Sequence, residues 1–287
     1  MQAVSADVRV RNTAGVSSFG YSGTIVHSAI RIRLLSDVFS ERTNLTFVRR
    51  PFPWQRMRHP LLQSFDMSGE VKNFRVPSVG RLHELVAEHI VKGRVIFPAT
   101  AYLEMARAVC CACHLKASVA DMVTLRSVSF MQACIIDPAQ NQFLECEVAT
   151  ESACFEIRSG NGEILHSRMV HCSGTMQPSF TQRRTNFGAS LSWRQRCSFA
   201  TDTKDLYRRY GELGINYGPG YQRVERAWSL DTGAAAFANL RDRRRYARMG
   251  TIIHPADLDG ALHPALLLDQ RLNETRLPSS VHEAVLD

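Results

Sequence analysis

The stretch HIVKGRVIFPATAYLEMA, residues 89–106, joins two kinds of sequence at a proline. Up to Phe97 it continues a strand-type pattern that begins near Leu61. After Pro98, apolar residues recur at helical spacing through Tyr102, Met105, Ala106 and Val109. Proline suits a helix entry, where its missing N–H has no partner to lose. A histidine therefore stands just ahead of a helix, four residues before Gly93 and nine before Pro98. Many histidines are ordinary core or surface residues, so a role for His89 needs a partner elsewhere in the chain.

The 287 residues that surround this stretch suffice for a sizeable core, in two domains or one large one. At 45% apolar and 22% charged the composition is that of a folded protein, which excludes a disordered one. The net charge is +8, with its densest run at Arg241–Arg248. No recognition helix, zinc-finger spacing or aromatic RNA-binding motif accompanies that run. It is read as a solvated loop or a face for an acidic protein, and nucleic acid is not the expected partner.

The eight cysteines follow no secreted spacing, and the N-terminus lacks an apolar signal core, so a reducing, cytoplasmic setting is expected. Cys110, Cys111, Cys113 and His114 fit no standard zinc spacing and continue the helical pattern, so no metal site is expected there. No apolar run approaches the roughly 18 residues of a membrane span.

Residues before about 58 read as a tail and a basic, proline-punctuated linker. Beyond the helix after Pro98, the segments 123–136, 143–150 and the two runs around the turn GNG (160–162) read as an antiparallel meander. A polar linker follows. Then come helix-like TKDLYRRYGELG (203–214), YGPGYQRVERAWSL (217–230), the strand GAAAFANL (233–240) and a second helical stretch, HPADLDGALHPALLL (254–268). Each half thus holds one principal helix beside several strands.

The second helix supplies candidates to partner His89. Asp257 and Asp259 compete, and His263, four residues beyond Asp259, shares its helical face. A histidine and a carboxylic acid facing one substrate suit the elimination of water from a 3-hydroxyacyl thioester. A base takes the proton next to the carbonyl while an acid protonates the departing hydroxyl, and the reaction as written requires neither metal nor redox cofactor. Gly93 would let backbone approach the substrate, and amides at the start of the first helix would polarise the thioester carbonyl.

HIVKGRVIFPATAYLEMA closely resembles the His-x-x-x-Gly-x-x-x-x-Pro signature of dehydratase domains in modular polyketide synthases and animal-type fatty acid synthases. HPLL (59–62) resembles the start of such domains, GINYGPGYQRVERAW (214–228) their Tyr-Gly-Pro-x-Phe element, and HPADLDGALH (254–263) their His-Pro-x-x-x-Asp-x-x-x-Gln/His element. The resemblance implies that His89 is the base and Asp259 the acid. It gives His263, Gly93, Pro98, Tyr217, Gly218 and Pro219 positioning roles. It implies an α+β double hot-dog fold, two antiparallel sheets each wrapped around a helix. The implied substrate rides on the phosphopantetheine arm of an acyl carrier protein, with no cofactor bound by the chain itself.

GVSSFGYSGTIVH (15–27) resembles the closing segment of a ketosynthase. The expected organisation is therefore a ketosynthase remnant over 1–35, a linker over 36–58, a first hot dog over 59–175, a second linker over 176–200 and a second hot dog over 201–287. The second hot dog is expected to be incomplete, since family members continue further. The implied partners are the carrier protein, other synthase domains such as a ketosynthase and a ketoreductase, and a second copy of the chain. Ala99, Tyr221 and Ser279 depart from the residues common in the family. Two other readings stand beside dehydration: a cyclase or isomerase of the same fold, and an inactive structural module. His254 is read as a structural residue at a helix start, Asp257 as exposed, and the remaining histidines as structural.

Overall fold

The computed structural model describes residues 13–19, 25–31, 59–66, 69–113, 122–161, 168–179, 194–230, 235–243, 248–268 and 273–286. The linker expected over 36–58, together with His114, His166 and residues 244–247, lies outside them. The chain divides into two units, Met1–Pro51 and Phe52–Asp287. In the first, β1 (Thr13–Phe19) and β2 (Ile25–Arg31) pair antiparallel along their whole length.

The second unit begins with β3 (Ser64–Asp66), β4 (Val71–Pro77), α1 (Arg81–Val86), β5 (His89–Val91), β6 (Arg94–Val95) and α2 (Ala99–Cys113). The meander β7 (Met122–Phe130), β8 (Gln142–Ala149), β9 (Cys154–Asn161) and β10 (Met169–Ser179) follows. The remaining elements are β11 (Phe199–Thr201), α3 (Thr203–Glu212), β12 (Ile215–Tyr217), β13 (Val224–Ser229), β14 (Ala236–Leu240), α4 (Pro255–Leu262), a 3-10 turn (His263–Leu267) and β15 (Ser280–Leu286).

One antiparallel sheet of seven strands, in the order β15, β7, β10, β9, β8, β4, β3, curves around α2. Met105, Ala106 and Val109 of α2 are fully buried against Phe74, Leu125, Leu144 and Ile157 from four of those strands. Each large apolar side chain so enclosed contributes about 1.5–3 kcal/mol. In β7 a bulge at Ser127, with φ at +49°, lets Leu125 and Val128 both point inward although they stand three apart. The other half places α4 and its 3-10 turn against a three-stranded sheet, β11, β13 and β14, over a smaller core of Leu206, Val224, Ala227, Leu266 and Leu267.

The two halves interlock. Helices α2 and α4 pack against each other. Strand β12 pairs with β5, which sets Tyr217 directly opposite His89. β15 lies beside β7, so a strand from the stretch expected as the second hot dog joins the sheet of the first. Strand β10 runs on to Ser179, into the segment read as a linker. His89 is separated from α2 by the β5–β6 hairpin, and the short helix α1 precedes it.

One surface expectation fails, and another needs correcting at a single residue. Asp257 is not exposed but sits half-buried, accepting from Arg223 Nε at 2.6 Å and from Arg243 Nε at 2.9 Å. Arg243 therefore leaves the solvated run: it also donates to Gly220 O at 3.0 Å, and its side chain is 12% exposed. A half-buried carboxylate attracts whatever cations the fold brings near, since an isolated buried charge costs several kcal/mol. His254 does cap α4, its Nδ1 accepting from Ala256 N–H at 3.1 Å.

Candidate active site

His89 opens β5 and is 4% exposed. Its Nδ1 lies 2.7 Å from the carbonyl of Ile96. A carbonyl only accepts, so Nδ1 carries the proton and neutral His89 keeps its lone pair on Nε2, the form a base needs. Burial lowers the pKa of His89, while the nearby Asp259 carboxylate pulls it upward less strongly. The imidazole is therefore neutral near pH 7. Tyr217 and Tyr221 flank it, each with a ring centroid 5.6 Å away.

The β5–β6 turn at Lys92 and Gly93 has positive φ at both residues, +49° and +77°, the form that matches strand twist in a two-residue hairpin. A Cβ at Gly93 would meet nothing within 4 Å. The glycine thus serves the backbone angle rather than the close approach of substrate. Gly218 is the reverse case: its amide donates to Glu88 O at 2.9 Å, and an added Cβ would come within 2.7 Å of Glu88 Cβ. Glu88 also accepts from Gly220 N–H, fastening the turn after Tyr217 to the residue before His89.

Asp259 and His263 meet as their spacing predicts, with His263 Nε2 3.0 Å from Asp259 Oδ2 and both residues buried. Around His263 stand tyrosines that spacing did not single out. Tyr207 Oη lies 3.1 Å from His263 Nδ1, Tyr210 donates to His263 O at 2.9 Å, and the Tyr217 ring centroid is 4.2 Å from that of His263. Burial first, and the charge of Asp259 second, push the phenol of Tyr217 well up. The signal for Tyr207 and Tyr210 was their spacing of three on one face of a helix.

A cavity of about 600 Å³ joins these groups: His89, Pro98, Tyr217, Asp259 and His263 all line it. Gly93, Gly218 and Pro219 lie outside the lining, in the turns that follow β5 and β12. Two of the departures from the family pattern, Ala99 and Ser279, fall on the cavity wall. The third, Tyr221, donates its extra hydroxyl to Leu85 O at 3.2 Å. Among the described residues no group of three or more His, Cys, Asp or Glu is placed to hold a metal ion, and no helix is long and apolar enough to cross a membrane. Among the described residues the cysteines of α2 form no disulfide, and burial pushes Cys110 up to about 12.

Residues 59–160 match the family model of the polyketide synthase dehydratase domain, and residues 188–287 that of the polyketide synthase dehydratase N-terminal domain. Polyketide synthase ThaG of Burkholderia thailandensis is 30% identical over 213 residues, 71% of this chain, which spans 4% of that relative's length. Among solved structures, a trans-AT polyketide synthase dehydratase domain from Brevibacillus brevis superposes with a TM-score of 0.69 at 22% identity, covering 78% of this chain and 80% of that one. The CurK dehydratase is similar at a TM-score of 0.66 and 20% identity, with the same coverages, and has been solved as two inactive mutants, one a histidine-to-phenylalanine and one an aspartate-to-asparagine substitution. Identities this low speak to the fold, which is the α+β double hot dog of those domains. With both halves of the second unit matched by dehydratase models, the chain belongs to the polyketide synthase dehydratase family.

Proposed function

We propose that the domain converts a 3-hydroxyacyl thioester, presented on the phosphopantetheine arm of an acyl carrier protein, to the 2-enoyl thioester and water. His89 Nε2 takes the proton from the carbon next to the thioester carbonyl. The electron pair of that C–H bond forms the double bond as the C–O bond at the next carbon breaks. Asp259 gives its proton to the departing hydroxyl, which leaves as water. The acid role requires that proton on Oδ1, the oxygen His263 does not engage. The two transfers reinforce each other, because the carboxylate left behind raises the basicity of His89. Proton exchange from His89 to Asp259 then resets the pair.

The observation that carries this reading is the 2.7 Å contact of His89 Nδ1 with Ile96 O, which leaves Nε2 for a base, on the wall of the same cavity as the Asp259 carboxyl that His263 engages. The inactive histidine and aspartate mutants of the CurK dehydratase support it. The same reading takes residues 1–35 as the closing segment of a condensing domain and residues 59–287 as the dehydratase. Mass spectrometry of a carrier-bound 3-hydroxyacyl chain tests it. Loss of one water with the native pair, and none with His89→Ala or Asp259→Asn, is expected; a folded native chain that leaves the substrate intact overturns it.

A further inference from the structure

We propose that Tyr207 is a positioning residue that selects the tautomer of His263 and thereby which oxygen of Asp259 carries the transferable proton. Four groups form a line: Val224 N–H, Tyr207 Oη at 2.9 Å, His263 Nδ1 3.1 Å from that oxygen, and Asp259 Oδ2 3.0 Å from His263 Nε2. The polarity of the line starts at a group that only donates. Val224 N–H gives its proton to the phenol oxygen, and the phenol's own proton then has His263 Nδ1 within reach. Nδ1 is left as the acceptor, so the ring proton sits on Nε2 and is donated to Oδ2. With Oδ2 accepting, the carboxyl proton of Asp259 belongs on Oδ1.

In the opposite tautomer the Nε2 lone pair faces Oδ2, and the contact survives only when the carboxyl proton turns onto Oδ2, toward His263 and away from substrate. Geometry limits alternatives. His263 is 1% exposed, the Tyr207 ring meets its ring edge to face at 5.5 Å, and Tyr210 anchors the same residue through its carbonyl. Side chains and backbone thus enclose the imidazole almost completely, with these contacts holding it at the cavity wall.

The kinetic arm of the test rests on the dehydratase reading; the spectroscopic arm does not. Steady-state dehydration of a 3-hydroxybutyryl thioester of N-acetylcysteamine is measured for Tyr207→Phe in the native chain and again in the His263→Gln background. A glutamine amide donates from nitrogen and accepts at oxygen whatever stands behind it, so it needs no tyrosine to choose. Tyr207→Phe is expected to lower kcat about tenfold or more with KM little changed in the native chain, and less than about threefold beside Gln at 263. Equal losses in both backgrounds overturn the proposal, since the tyrosine would then serve only Val224 N–H. In parallel, 15N spectra of histidine-labelled protein, with His263 assigned from the His263→Gln variant, are expected to show a proton on Nε2 that redistributes in Tyr207→Phe. An unchanged tautomer overturns the proposal even if the native chain does not turn over, an outcome that would separately defeat the dehydratase reading. Should Tyr207→Phe not fold, a fluorinated tyrosine in place of Tyr207 keeps both hydrogen bonds and strengthens the one it donates. A shifted His263 Nδ1 resonance is then expected, and an unmoved one overturns the proposal.

Discussion

His89 and His254 are both buried imidazoles that the fold keeps neutral, for different ends. His89 donates to Ile96 O and is left with a basic Nε2; replacing it with alanine is expected to lower dehydration by about 10²–10⁴-fold while circular dichroism remains native. His254 accepts an amide at the start of α4, and burial, with the Arg243 guanidinium second, brings its pKa down to about 4. The sign follows from that depression. Between 6.5 and about 4 the unfolded chain binds a proton at this position and the folded one does not, so stability falls as pH falls through that window. The slope is about 1.4 kcal/mol per pH unit, roughly 3 kcal/mol in all by pH 4. Urea denaturation between pH 7 and pH 4 should show this loss, and His254→Asn, which keeps a capping oxygen, should flatten it. At this scale spacing put Asp259 and His263 on one helical face, because a helix turns on itself about every four residues, whereas the choice of His89, and of Asp259 over Asp257, came from the family resemblance. The partners of Tyr207 and Glu88 were not legible, since they stand 56 and 132 residues away; for Tyr207 only the shared helix face with Tyr210 was.

Among the elements, the joint between β5 and β12 and the contact between α2 and α4 bring the two motifs to one cavity. The turn after β12 has no room at Gly218, where a methyl group would strike Glu88 Cβ. Gly218→Ala should cost about 1–3 kcal/mol by overpacking and lower the melting temperature. Glu88→Gly in the same chain should recover part of that loss, and no recovery would place the strain elsewhere. Helix α2 carries a second device. Glu104, fully buried, accepts from Arg107 Nε at 2.6 Å and Nη2 at 2.9 Å, and from Ile252 N–H at 3.0 Å on the segment before α4; His59 Nε2 lies 3.1 Å away. Removing one partner strands the other charge, so Glu104→Ala should cost about 3–5 kcal/mol in chemical denaturation. The helices themselves were legible from apolar spacing and from Pro98. Their ion pairs were not, because a charge at a helical position reads as a solvated face until the neighbouring element is known.

In the molecule as a whole, the chain returns at its end to the sheet it built first. A reading by order along the chain assigns β15 to the second half, because strand patterns specify an inward face and not a neighbour; only the free edge of β7 and the path from α4 decide the pairing. The consequence reaches the cavity, since Leu277, Ser279 and Val281 form part of its wall where the chain enters β15. Deleting residues 280–287 should therefore do two things at once. It bares β7, a nine-residue strand with its inner face in the main core, as an unprotected edge, and it opens the cavity beside His89 to water. The expected result is a markedly lower melting temperature in calorimetry and larger species in size-exclusion chromatography. The cross-strand ion pair of Arg126 with Glu283, at 3.0 Å and substantially exposed, is a control of the opposite kind. Glu283→Gln should change stability by no more than about 1 kcal/mol, because exposed pairs are screened and cost side-chain entropy to hold. A deletion variant that stays monomeric with an unchanged melting temperature would show that β15 covers the edge without supporting the sheet.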